Sequence, residues 1–165
     1  MAGDRRNGCV RVAGGLIARA VTRIVRATIF GRTQIIAVAV CDAVERSPGY
    51  GALAELLQTL FGDRVAGAFR APFAIGDASL LAGLAQQAGL QRAEVLSRSA
   101  IVRFASIDAL VSTERACIWT LGGLLDDAQF ERLLHEARRV LAPFVQHDGS
   151  VAFQMPALII AARRP

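Results

Sequence analysis

A chain of 165 residues is long enough for one domain that buries about 70% of the surface its unfolded form exposes, and too short for two full domains. With 53% hydrophobic and 20% charged residues it falls among globular proteins and away from disordered ones. The net charge of +5 is uneven: all nineteen basic residues are Arg, and residues 1–40 hold seven of them against Asp4 alone, so the basic character belongs to the N-terminus.

In chain order, residues 15–29 read as a helix with Leu16, Ala20, Ile24 and Thr28 on one side and Arg19, Arg23 and Arg26 on the other. Gly31 breaks that pattern. Residues 35–41 form a continuous apolar run of strand length, and apolarity at both parities implies burial on both faces, as in a parallel sheet. Ser47-Pro48-Gly49 is a turn signal, after which Leu53, Leu56, Leu57, Leu60 and Phe61 fall at helical spacing until Gly62. Asp77 is placed to cap a helix carrying Leu80, Leu81 and Leu84, with Gly89 at its C-terminal cap. Residues 93–104 read as a strand, and Ser106 as the N-cap of a helix through Ile107, Leu110 and Val111. A longer helix begins near Asp126 or Asp127 and presents Phe130, Leu133, Leu134, Ala137, Val140, Leu141 and Phe144. The last strand is 151–162, where Pro156 removes one backbone donor and favours an edge or a bulge.

The basic arm would suit an acidic partner, a membrane surface or nucleic acid; a solvated helix face or tail is the simpler reading, with no nucleic-acid partner. Arg11, Arg19, Arg23 and Arg26 interrupt the apolar stretch at 12–18, which excludes a signal peptide or membrane span, although an organelle transit peptide shares this Arg-rich, acid-poor composition. Cys9, Cys41 and Cys117 are odd in number and far apart, which fits neither a disulfide framework nor a zinc site and points to a reducing cytoplasmic setting.

Several segments, in order, are similar to the ubiquinone/menaquinone-type branch of the class I S-adenosylmethionine-dependent methyltransferases. They are 36–40 followed by Asp42, Ser47-Pro48-Gly49-Tyr50, Ala71-Pro72-Phe73 with Gly76-Asp77, and Ala88-Gly89-Leu90. Val102-Arg103-Phe104 with Ser106, Leu141-Ala142-Pro143-Phe144, and Phe153-Gln154-Met155-Pro156-Ala157 through Arg163 continue the series. The resemblance runs from about residue 35 to the end and covers the C-terminal, substrate-side half of that family. It implies an α/β, partial Rossmann-like fold: a mixed sheet of about three strands capped by helices. The family's fifth strand would be 35–41, its antiparallel seventh 151–162 and its outer sixth 93–104. On this reading residues 1–34 form a basic segment, helical or disordered, ahead of a methyltransferase-like domain at 35–165.

The family binds S-adenosylmethionine with a glycine-rich turn after its first strand and an acid ending the second, because backbone amides approach the ligand closely only where no side chain intervenes. Gly14-Gly15 has neither a strand before it nor a spaced glycine set and an acid after it. The expectation is a chain that keeps the substrate side and lacks the cofactor half, as a truncated or frame-shifted gene would give. It would be inactive alone, and a further polypeptide would supply the cofactor site.

In open α/β sheets ligands sit beyond the carboxyl ends of the strands, so 42–76 and 105–150 would form a substrate lid. There Asp42 and Glu45 could accept a proton or bind a cationic group, or be solvated loop acids. Tyr50, Phe73 and Trp119 could line an apolar pocket for a small-molecule substrate, or pack core. Cys41 would need a depressed pKa to act as a nucleophile. His135 on the long helix and His147 in a polar turn form no recognisable catalytic set. With no fourth strand beside it, the 35–41 edge would offer unpaired backbone next to Ile36, Val38 and Val40 and pair with a second copy, unless 15–29 folds back over it. A non-catalytic binding or interaction protein, or the remnant of a disrupted gene, would account for the same features.

Overall fold

The computed structural model of the protein describes residues 23–28, 34–90 and 93–163. In chain order the elements are β1 (Arg23–Thr28), β2 (Gln34–Cys41), α1 (Pro48–Phe61), α2 (Asp63–Arg70), α3 (Ala78–Gln87), β3 (Glu94–Phe104), α4 (Ile107–Ala116), α5 (Asp127–Val140) and β4 (Val151–Arg163). Among the described residues the sheet has four strands in the order β1-β2-β4-β3. The C-terminal strand lies inside it, antiparallel to β2 from Ile35↔Arg163 to Cys41↔Ala157 and to β3 from Glu94↔Ala161 to Phe104↔Val151. The strands at 35–41 and 93–104 therefore do not touch, as the sequence suggests.

Several expectations need correction. Residues 23–28, placed in the second half of a helix by the spacing of Arg19, Arg23 and Arg26, are a strand paired with β2 from Arg23↔Ala39 to Thr28↔Gln34. Ile24, Val25 and Thr28 are β-branched, which lowers helix propensity and favours a pleated strand, and β2 supplies the hydrogen-bonding edge. Residues 15–22 and 29 lie outside the described residues. Second, the sheet is not a mixed one of three strands, because every adjacent pair is antiparallel. Third, the outer edge of β2 is covered by β1 and is not free to pair with another copy. Nor is β2 buried on both faces: Val40 is buried, while Ala37, Val38 and Ala39 are half-buried.

Pro156 sits in this interior strand without a bulge, since the β3–β4 register runs unbroken through Ser99↔Pro156. Its carbonyl accepts from Asp42 N at 3.1 Å, so its backbone polar groups face the side that β2 leaves after Cys41↔Ala157. The missing N–H thus falls just past the last β2–β4 pair, at the end of the ladder.

The helices begin and end where local chemistry dictates. Pro48 opens α1, and Gly62, at φ 75°, closes it in a conformation that only glycine adopts without strain. Asp77 Oδ1 accepts from Leu80 N at 2.7 Å to cap α3, and Ser106 Oγ accepts from Ala109 N at 3.0 Å to cap α4. At α5, Asp126 and Gln129 form a reciprocal capping box, with bonds of 2.8 and 3.0 Å. The short α2 carries Gly67 and has no separate sequence signature.

Side chains of β4 alternate between two cores. Val151 and Phe153, with Val102 and Phe104 of β3, face a cluster filled by α1, α2, α4 and α5, whose centre is Leu53, Leu57, Phe69, Leu110 and Leu133. Leu158 and Ile160 face the other way, where Val40 and α3's Leu81 and Ala85 form a smaller core. The insertions 42–76 and 105–150 thus pack into one helical cap over the carboxyl end of β2, at the place expected of a lid.

Candidate functional site

β2 ends at Cys41, and the chain turns sharply over the sheet into α1. Asp42 is 1% exposed, and its carboxylate accepts from Ala43 N at 2.8 Å and from Arg46 Nη1 at 3.3 Å. Ser47 Oγ donates to the Gln154 carbonyl at 2.9 Å, and Ala43 N donates to the Gly76 carbonyl at 3.1 Å. Asp42 is therefore spent on holding the turn, although it is neither a solvated loop acid nor open to a ligand.

This turn delivers Tyr50 into the cap. Its ring meets Phe153 edge-on at 5.1 Å between centroids, Phe73 at 5.7 Å and Phe69 at 6.0 Å, a cluster of offset and edge contacts. Its hydroxyl lies near Glu114 of α4, whose charge acts on it. Glu114 is 8% exposed, on the same apolar helix face as Ile107, Leu110 and Val111. Thr120 Oγ1 donates to the Glu114 backbone carbonyl at 2.9 Å. No ion pair to Glu114 occurs among the described residues.

Burial without a cation pushes the Glu114 carboxyl above the ordinary glutamate range, against the opposing effect of the Thr120 and Tyr50 hydrogen bonds. The Tyr50 phenol is raised well above its usual range, first by burial and then by the Glu114 charge. Burial also raises the Cys41 thiol, with the nearby Glu114 charge adding to it, so Cys41 is held as a thiol and not as a reactive thiolate. The unit is a buried acid near the Tyr50 and Thr120 hydroxyls and the Cys41 thiol, able to accept or hold a proton at the Glu114 carboxylate.

Of the residues that the sequence singles out, Tyr50 and Phe73 come together, and Asp42 is buried in the turn after β2. Glu45 is exposed, on a shallow pocket of about 260 Å³ shared with Glu55 and Arg70. Trp119 is 40% exposed on the turn after α4, next to Ile118 at 73%, and stands outside the aromatic cluster. His135 and His147 are both exposed. Among the described residues no group of His, Cys, Asp and Glu is placed to hold a metal ion, and no helix is long and apolar enough to cross a membrane. Sequence reading missed Glu114 and Thr120. The available signal was an acid at a core position of an amphipathic helix, three residues beyond Val111.

No protein-family model matches this sequence, and no curated protein matches it either.

Proposed function

We propose that these residues are the acceptor side of a class I S-adenosylmethionine-dependent methyltransferase, acting on a small molecule together with a cofactor-binding half encoded outside them. The supporting observation is the sheet order: 35–41 and 93–104 flank an antiparallel C-terminal strand, as the resemblance implies for the fifth, sixth and seventh strands. On this reading the helical cap over the end of β2 would be the acceptor-binding side. Methyl transfer to an O–H, N–H or C–H acceptor releases a proton. Glu114, with its pKa raised and no cation to hold it ionised, is suited to receive one at that end of the sheet. β1 lies antiparallel where the family has a parallel fourth strand, so the cofactor half would join by a route other than simple continuation of the sheet. The free Cys41 and Cys117 fit a reducing, cytoplasmic setting.

The test uses methyl-labelled S-adenosylmethionine and a panel of small O, N and C acceptors. The purified chain alone is expected to transfer no label. Adding the product of a neighbouring gene that encodes a glycine-rich strand, turn and helix is expected to restore transfer. Label transfer by the chain alone, or a mixture that neither associates nor transfers, overturns the proposal.

A further inference from the structure

The described sheet has two outer edges, and they differ. β1 offers six residues, two of them Arg. β3 offers eleven, Glu94–Phe104, paired with β4 on one side in unbroken register and with no described strand on the other. Its exposure is high along most of its length, including Leu96 at 40% and Ile101 at 52%. Natural edges are blunted by proline, bulges, brevity or charged side chains; β3 is long, has no proline and no bulge, and carries three charges, Glu94, Arg98 and Arg103.

Two copies can join such edges in an antiparallel ladder only by a two-fold axis perpendicular to the sheet, which sets residues of the same face opposite one another. An axis through Arg98 would put two guanidiniums in contact. An axis through Ser97, Ala100 or Ile101 would leave part of the strand unpaired. An axis through Ser99 pairs all eleven residues. On one face it sets Leu96 opposite the second copy's Val102 and Arg98 opposite Ala100, and on the other Ser97 opposite Ile101, each pair occurring twice. The register of greatest overlap also sets no like charges directly opposite one another, the two Arg98 side chains being diagonal across the axis, and places a side chain of the second copy beside each of Leu96 and Ile101. We propose that the protein dimerises through β3, with Ser99 on the two-fold axis, to give one continuous sheet across both copies. This surface is independent of the acceptor-side reading, and it replaces the β2 edge, which β1 occupies.

The test is carried out on the full chain. Light scattering after size exclusion is expected to give twice the 17.6 kDa chain mass. Ser99→Lys, at an exposed position, is expected to return the chain to a monomer with unchanged far-ultraviolet dichroism. Opposed Cα atoms in an antiparallel ladder stand about 4.5–5.5 Å apart, within disulfide reach. Ser99→Cys is therefore expected to cross-link to itself under mild oxidation, with the bond located by mass spectrometry, while Val95→Cys is not. A monomeric wild-type chain overturns the proposal. So does a dimer that survives Ser99→Lys, or one in which Ser99→Cys fails to cross-link, which would point to a different contact.

Discussion

Around Leu53, Leu57, Phe69, Leu110 and Leu133 four helices meet with every side chain out of water, whereas beneath α3 only Leu81 and Ala85 reach down to Val40, Leu158 and Ile160. The cap core is thick and draws on segments distant in sequence, joined by the strand ends at Val151 and Phe153. The sheet core is one helix deep, and the opposite face of the same strands leaves Ala37, Ala39, Ile159 and Ala161 half-buried and Leu96 exposed. Residues that hold the cap together also hold the candidate site, since Tyr50 belongs to both; the sheet behind it is the thinner layer.

The largest effect is expected in the cap. Phe69→Ala should cost about 3–5 kcal/mol in chemical unfolding, because a fully buried ring in contact with Tyr50 and Phe73 leaves a cavity that four helices cannot close. Leu81→Ala, in the one-helix core, should fall at the low end of the leucine range, about 2–3 kcal/mol, since α3 can settle toward the sheet. A Leu81 loss equal to that of Phe69 would break the comparison. Gly76→Ala should cost about 1–3 kcal/mol, because the added methyl would run into the Asp42 and Ala43 backbone at the end of β2. Asp126→Ala removes the capping box of α5 and should cost about 1 kcal/mol, read in the same unfolding experiment.

Glu114→Gln sharpens the comparison through pH. The folded-state carboxyl is raised above its unfolded value, so the folded state binds the extra proton. Stability from this group is complete below the ordinary glutamate pKa and is lost as pH rises through the folded-state pKa. The glutamine variant should lose that decline, giving a flatter profile of unfolding midpoint against pH; an unchanged profile would remove Glu114 from the account. The smallest effect is expected at Asp108→Asn. Its two-pronged pair with Arg138, at 3.0 and 2.7 Å, lowers the Asp108 pKa chiefly through the hydrogen bond, but both side chains are about half exposed and solvent screens the pair.

Much of this architecture is legible from local chemistry. The apolar run of β2, the caps at Asp77, Ser106 and Asp126, and the 3.6-residue spacing of α1 and α5 each carry their own signal. β1 is not legible, because Arg at three- and four-residue intervals imitates a solvated helix face and the decisive factor, a free edge on β2, is non-local. α2 is too short for a periodic signal, its buried Val65, Ala66 and Phe69 covering a single turn. At the site, Tyr50 and Phe73 stand out as aromatics, yet their partner Glu114 lies more than sixty residues along the chain from Tyr50, and only tertiary packing brings them together.

The central proposal is that these residues act as an acceptor side and rely on a cofactor site encoded outside them. Calorimetric titration of S-adenosylmethionine into the purified chain tests it most directly. The account predicts no saturable heat, because neither the glycine turn nor the ribose-binding acid is among these residues. Saturable one-to-one binding at micromolar concentration would contradict it.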